Sequence, residues 1–422
     1  MIFLSGADIV LPDRIITGGT LVVDAGKISE IVDRQRPSDA RAERHDLHNH
    51  LIVPGFIDVH VHGVDGVDTL DSHDAVRRIA ARLPRYGVAG FCPTSLACGP
   101  DVLGRMLAGV RDARTSPSPS SARVLPAHLE SNFINPEYAG AQPVECLRRP
   151  PRPRTESNPV EPTRTSSNPS EFSAADILAE IDSARPDVGI VTLAPELDGG
   201  LDLIRRLVAA GHRVSLGHSG ATFDEARAGI DAGARHATHL FNRMPPMSHR
   251  APGLAGAALD ADEIAAELIC DGVHVHPAVM RFAIAAKGAP RVMAITDATA
   301  GAGLPTGSHA SIGGRRITVR ETAYLDDGTI AGSVLTMDRA FERLVGRVGL
   351  SPVDAAILCG TTPARELGLH GHGVIAPGAI ADLTVLDRTY KVAQTWIGGV
   401  LVYDGRSKEI TGTVEPWTRE PV

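Results

Sequence analysis

The chain has 422 residues, 43% of them hydrophobic and 22% charged, with a mean hydropathy near zero. That length exceeds one ordinary core and suits a large barrel with a smaller companion domain. The formal charge of -8 argues against an electrostatic nucleic-acid binder, and no stretch approaches the roughly 20 apolar residues of a membrane span.

The start, MIFLSGADIVLPDR, has no basic n-region and reaches Asp8 before any signal-like apolar run is complete. Five scattered cysteines (Cys92, Cys98, Cys146, Cys270 and Cys359) are odd in number and lack paired spacing. Both features predict reduced thiols and a cytoplasmic location. Residues 1–53 read as short β segments, with turns at Leu11-Pro12-Asp13 and Asp24-Ala25-Gly26.

From Asp58 onward, apolar strand-like runs alternate with helix-period segments, the pattern of a parallel α/β fold. Eight such runs follow one another: FIDVHVH, GVAGFCPTS, RVLPAHLE, VGIVTLAPE, HRVSLGHS, ARHATHLFN, AAELICDGVH and RVMAITDAT. Amphipathic stretches such as DAVRRIAARL, LDLIRRLVAA and FDEARAGIDAG lie between them. Eight strand–helix units predict a TIM-type (β/α)8 barrel, typically about 250 residues long. A doubly wound open sheet is the rival. From 148 to 170 the chain reads RRPPRPRTESNPVEPTRTSSNPS, too poor in apolar residues to fold alone, which predicts a flexible insertion. After a helical region from Ser333 to Leu369, HGVIAPGAIADLTVLD and VAQTWIGGVLVYDG again read as strands. The expected organisation is a small β-sandwich domain from both chain ends, 1–53 with 370–422, around a barrel spanning 54–369.

The predicted strand ends carry the chemistry. His60 and His62 close the first run, and alternation along a strand puts both imidazoles on one side. His128-Leu129-Glu130 ends the third run, His218 the fifth, His239 the sixth and Asp297 the eighth. Catalytic groups of such barrels sit at the C-terminal ends of the strands. Imidazoles and carboxylates there, without a thiolate, suit a divalent metal. Zinc is the first expectation, with iron, manganese or cobalt as alternatives, at one or two ions per subunit.

At this point the sequence resembles the amidohydrolase superfamily and, within it, the N-acetylglucosamine-6-phosphate deacetylases. The motifs are PGFIDVHVHG, HLE-x-x-FINPE-x-x-GA, LGHSGATFDEA, HATHLFN-x-MPP with HRAPGLAGAAL, ITDATAGAG, AGSVLTMDRA and GVIAPGAIADLTVLD. The resemblance implies hydrolysis of an acetamide on an amino-sugar phosphate by a homodimer. It makes Glu130, His218 and His239 ligands of a principal metal. His60 and His62 then help form a second site that Glu130 can bridge, and Asp297 is the catalytic carboxylate. It also places Asn242, Arg243, Arg250 and His274 at the substrate phosphate, Arg250 reaching across from a neighbouring subunit, and Ala141, Ala331, Gly332 and Ser333 at the sugar.

Three departures from the family pattern fall near the expected sugar pocket. Ser131-Asn132 replace Gly-Pro, Gln142 replaces a histidine, and Arg243 replaces a small residue. They leave open an epimer such as N-acetylgalactosamine 6-phosphate or another acylated amino sugar. A D-aminoacylase is a further alternative. Cyclic-amide hydrolases bridge two metals with a carboxylated lysine, which the run VTLAPE does not offer. A non-catalytic scaffold would generally have lost ligands that this chain keeps.

Overall fold

The computed structural model describes residues 1–33, 43–151 and 171–405. All eight expected runs form parallel strands: Phe56–Val61, Val88–Ser95, Ala127–Glu130, Val188–Leu193, Arg213–Leu216, His236–Ala237, Ala265–Ile269 and Val292–Ile295. They pair in chain order. The ring closes through a parallel bridge between Val61 and Ala298, with Asp297 N donating to His60 O at 3.0 Å and His62 N to Ala298 O at 2.8 Å. Asp58, a polar residue in an apolar strand, secures the same seam. Its carboxylate accepts from Thr296 Oγ1 at 2.6 Å and Thr296 N at 3.3 Å. Burial pushes the Asp58 carboxyl up to about 7 against those bonds.

Isoleucine, valine and methionine fill the inside of the ring. Ile57, Val59, Cys92, Ile190, Ala265, Ile269, Met293 and Ile295, drawn from five of the eight strands, share one apolar cluster with Ala364. Leu367 and Leu369 pack onto it. The outer helices bury one stripe each. Helix Gly200–Ala209 turns Leu203, Ile204 and Leu207 inward. Helices Ala174–Ser183 and Phe223–Asp231 start with capping boxes, Ser173 with Asp176 and Thr222 with Glu225.

The chain ends meet in one eight-stranded sheet. Its order is Val400–Asp404, Val392–Ile397, Leu383–Leu386, Leu51–Pro54, Ile2–Val10, Ile15–Asp24 and Lys27–Val32, with Glu43–Asp46 also paired to Ile2–Val10. A bridge from Lys27 to Ile380 brings the last strand of this order back beside the C-terminal segment. The sheet therefore wraps around a shared core that includes Leu4, Ile9, Leu21, Ile28, Ile52, Leu383 and Trp396.

Two features lie between strands and helices. Residues 152–170 of the Pro/Arg/Ser-rich insertion fall outside the described residues. At its start, the Arg148 guanidinium sits 3.8 Å from the Phe172 ring centroid, and its Nε donates to Phe172 O at 2.7 Å. After the eighth strand, a small antiparallel sheet of His309–Ile312, Arg315–Val319 and Ala323–Tyr324 precedes helix Met337–Arg343. The sequence reading has no counterpart for it.

Candidate metal centre and substrate cavity

Strand ends that carry the site also carry unusual backbone. Of the nine non-glycine residues with positive φ among the described residues, His218 (47°), His239 (29°), Phe241 (76°), Arg243 (51°) and Asp297 (50°) lie here. Left-handed backbone is costly for such residues and is held only where the surroundings over-determine it. His218, His239 and Asp297 each stand two residues beyond their strand, where the sharp turn sets their side chains over the barrel mouth.

Two donor sets result. In the first, Glu130 Oε1 lies 2.7 Å from His218 Nε2 and 2.8 Å from His239 Nε2, and the two nitrogens are 3.1 Å apart. In the second, His60 Nε2 and His62 Nε2 are 3.2 Å apart and lie 3.4 and 3.2 Å from Asp297 Oδ1. Glu130 stands between the sets, 3.8 Å from His60 Nε2 and 3.6 Å from His62 Nε2. All six residues are buried. A third cluster, His60 with His128 and Glu267, is different. His128 spends Nδ1 on Val59 O at 2.9 Å and Nε2 on Thr192 Oγ1 at 2.8 Å, so it has no lone pair to offer.

Four imidazole Nε2 atoms directed into one buried volume are a poor hydrogen-bonding arrangement, since neighbouring pairs need a proton or a cation between them. The charges agree. Burial would raise the Glu130 carboxyl, but His218, His239 and His60 hold it well below the ordinary range. Burial likewise opposes the lowering of Asp297 by His60 and His62. The His60 imidazole, which burial would depress, is pushed up to about 10 by Asp297, Glu267 and Glu130. This excess of buried carboxylate calls for positive charge, and a divalent ion on N and O donors fits it. Outer contacts hold the rings: His218 Nδ1 meets Tyr138 O at 2.8 Å and His60 Nδ1 meets Glu267 Oε2 at 3.0 Å.

A cavity of about 450 Å³ opens above these sets. Ala141, Asn242, Arg243, His274 and Gly332 line it with Glu130, His218, His239 and Asp297, as do Phe241, Ile312 and Ile330. Asp271 Oδ2 holds His274 Nδ1 at 2.7 Å, leaving Nε2 as the remaining polar atom of that ring. Arg243 lies over Gly140, where a Cβ would collide with the guanidinium. Gly332 has φ +59° and sits so close that a Cβ would be 2.8 Å from Asp297 O.

Other expected substrate residues stand apart from the cavity wall. Ala331 is buried in a neighbouring apolar cluster. Ser333 is buried behind Asp297, its N donating to Asp297 O at 2.7 Å and its Oγ to Thr296 O at 2.6 Å. Arg250 is exposed and makes no hydrogen bond or ion pair among the described residues. The three departures also separate. Ser131 and Asn132 are buried and bond to backbone carbonyls, Ser131 to Thr192 and Asn132 to Cys98 and Cys146. Gln142 reaches the metal centre itself. Its Oε1 accepts from Ala97 N at 2.8 Å, which orients Nε2 to donate to Glu130 Oε2. The sequence reading did not select Glu267, Asp271 or Tyr138. Only Glu267 left a signal there, as a lone carboxylate in an apolar strand.

Residues 51–402 match the Amidohydrolase family. The N-acetylglucosamine-6-phosphate deacetylase of Bacillus subtilis is 33% identical over 401 residues, covering 94% of this chain and 95% of the relative. The N-acetylgalactosamine-6-phosphate deacetylase of Escherichia coli O157:H7 is 34% identical, covering 83% and 87%. Among solved structures, the Mycobacterium smegmatis N-acetyl-D-glucosamine-6-phosphate deacetylase in complex with N-acetyl-D-glucosamine-6-phosphate aligns with a TM-score of 0.83 at 30% identity, covering 95% of this chain and 99% of that one. Barrel, donor sets and relatives agree, and the chain belongs to the amidohydrolase family, on the branch of these sugar-phosphate deacetylases.

Proposed function

We propose that this protein is a metal-dependent hydrolase that removes the N-acetyl group from an amino-sugar 6-phosphate, giving acetate and the free amino-sugar phosphate. N-acetylglucosamine 6-phosphate is the leading substrate. The observation that carries the reading is the convergence of Glu130, His218 and His239 beside His60, His62 and Asp297 at the floor of one cavity. Glu130, His218 and His239 would hold the principal ion, with His60, His62 and Asp297 available to a second. Such an ion, zinc first among the candidates, supplies Lewis-acid polarisation of the amide carbonyl and lowers the pKa of water.

The chain's own groups do the rest. Asp297 accepts a proton from the attacking water at Oδ1 and passes it to the departing amine nitrogen. A guanidinium and an imidazole lining one cavity suit a phosphate, so Arg243 and His274 bind it, with Asn242. Ala141 and Gly332 leave room for the sugar ring. Arg250, exposed and unpaired among the described residues, serves the phosphate of a partner subunit in a homodimer. Five free cysteines accord with a cytoplasmic location, and among the described residues no helix is long and apolar enough to cross a membrane.

The second reading, N-acetylgalactosamine 6-phosphate, is favoured by the Escherichia coli relative, and the departures Gln142 and Arg243 at the pocket leave room for it. Free-amine release by zinc-loaded protein decides between them, with both epimers and unphosphorylated N-acetylglucosamine run side by side. Turnover of one phosphorylated epimer names the substrate. If the unphosphorylated sugar reacts equally well, the phosphate assignment fails. If no sugar reacts while metal stays bound, the search moves to other acylated amino sugars or to D-aminoacylase substrates.

A further inference from the structure

One buried group belongs to neither donor set. Glu267, on the seventh barrel strand (Ala265–Ile269), is fully buried and is the sole charged residue of that strand. Its Oε2 lies 3.0 Å from His60 Nδ1 and accepts from His239 N at 3.4 Å, so one oxygen touches a member of each set. Its Oε1 has no hydrogen-bond partner among the described residues. His128 Nδ1 lies 3.8 Å from it and is already bonded to Val59 O. A carboxylate this deep is costly unless something nearby needs it.

His60 is what needs it. With the Nδ1 proton directed at Glu267, the ring is locked and Nε2 is left bare toward His62 and Asp297, as a metal ligand requires. The other imidazole of that set has no such support, because His62 Nδ1 is buried without a hydrogen-bond partner among the described residues. The principal set leans on Glu267 much less. His218 is held by Tyr138 O, and His239 meets Glu267 only through its backbone N.

We propose that Glu267 is a positioning residue that fixes His60 as a ligand and so decides whether His60, His62 and Asp297 hold a second divalent ion. The inference rests on the metal-dependent reading above. It predicts that changes at Glu267 weaken one ion and spare the other, which a general structural role would not do.

The test is a zinc titration of the metal-stripped full-length chain by calorimetry, with ion content counted after desalting. Wild type is compared with E267L, E267Q and H62A, the last marking loss of the second site. Wild type should take two ions. E267L should weaken the second at least about 10-fold while the first stays within about twofold. E267Q, whose amide oxygen still accepts from His60 but lacks the charge, should fall between them, and it decides the matter if E267L does not fold. Two ions at unchanged affinity in both variants overturn the proposal. So does equal weakening of both ions, and so does a wild type that takes only one. A wild type that takes none overturns the metal-dependent reading itself.

Discussion

At the N-terminal end of the barrel Asp382 is buried in a complete set of bonds. Arg123 reaches it with two nitrogens at 3.0 and 3.2 Å, His372 Nδ1 at 2.7 Å and Gly398 N at 2.6 Å. At the C-terminal end Asp297 is buried too, but it faces two imidazole nitrogens at 3.2 and 3.4 Å and a cavity. Both carboxyls are held below their ordinary pKa against the effect of burial, Asp382 by His372 and Arg123, Asp297 by His60 and His62. One end has spent its polar groups inside the chain, where they tie the wrapped sheet to the barrel. The other keeps them available, in left-handed backbone at the strand ends, for something not part of the chain. Burial and charge do not distinguish a structural carboxylate from a reactive one here. The completeness of its partners does.

The comparison breaks most sharply at Asp297. Asp297→Asn should lower turnover about 10²- to 10⁴-fold, the usual worth of general acid–base catalysis, with the ion on Glu130, His218 and His239 retained. Steady-state kinetics with parallel metal counting check this, and wild-type turnover would refute the proton-transfer role. Next comes Arg243→Ala, which removes a charge-assisted bond worth about 1.5–3 kcal/mol. It should raise KM for the phosphorylated sugar about 10- to 100-fold and leave the unphosphorylated sugar unaffected. Equal effects on both sugars would move Arg243 away from the phosphate.

At the opposite end the same logic predicts lost stability instead of lost chemistry. Asp382→Asn should cost about 1–3 kcal/mol, with the half-exposed Arg123 keeping it near the lower value. Activity at low temperature should be unchanged. Because the native carboxyl titrates below its unfolded value, the folded state binds fewer protons. The stabilisation is therefore complete above the ordinary carboxyl pKa of about 3.9 and is lost as pH falls through the lower native value. Denaturant melts of wild type and variant should thus converge in strong acid. A gap that persists there would assign the loss to packing.

Much of this was legible in the sequence, and the reason is periodicity. Eight apolar runs separated by amphipathic stretches become eight strands in order, and short-range alternation brings His60 and His62 together. Residues whose placement depends on long-range closure were not legible. Glu267 meets His60 across 207 residues of chain, and Asp58 meets Thr296 across 238. Neither pairing leaves a local signature beyond a lone acid in an apolar run. Gln142 could be seen as a departure but not located, because its role depends on Ala97 and Glu130 from two other segments. Ala331 and Ser333, expected at the sugar from a motif, are fully buried, and Ser333 N donates to Asp297 O, a bond no local pattern announces.

The smallest expected effect tests whether scaffold and site are separate at close range. Thr222 caps helix Phe223–Asp231, accepting from Glu225 N at 3.3 Å while Glu225 Oε2 accepts from Thr222 N at 2.8 Å. It lies only four residues beyond His218. Thr222→Ala should cost about 1 kcal/mol in chemical denaturation. Zinc affinity and kcat should nevertheless hold, because the His218 loop is anchored on the other side. Glu196 accepts from Ser219 Oγ at 2.7 Å and Gly220 N at 2.6 Å, and Tyr138 O receives His218 Nδ1. Those anchors come from the fourth strand end and the third-strand loop, so fraying of the helix start does not reach the imidazole. A matching fall in metal affinity would mean that the cap, not Glu196, sets the ring.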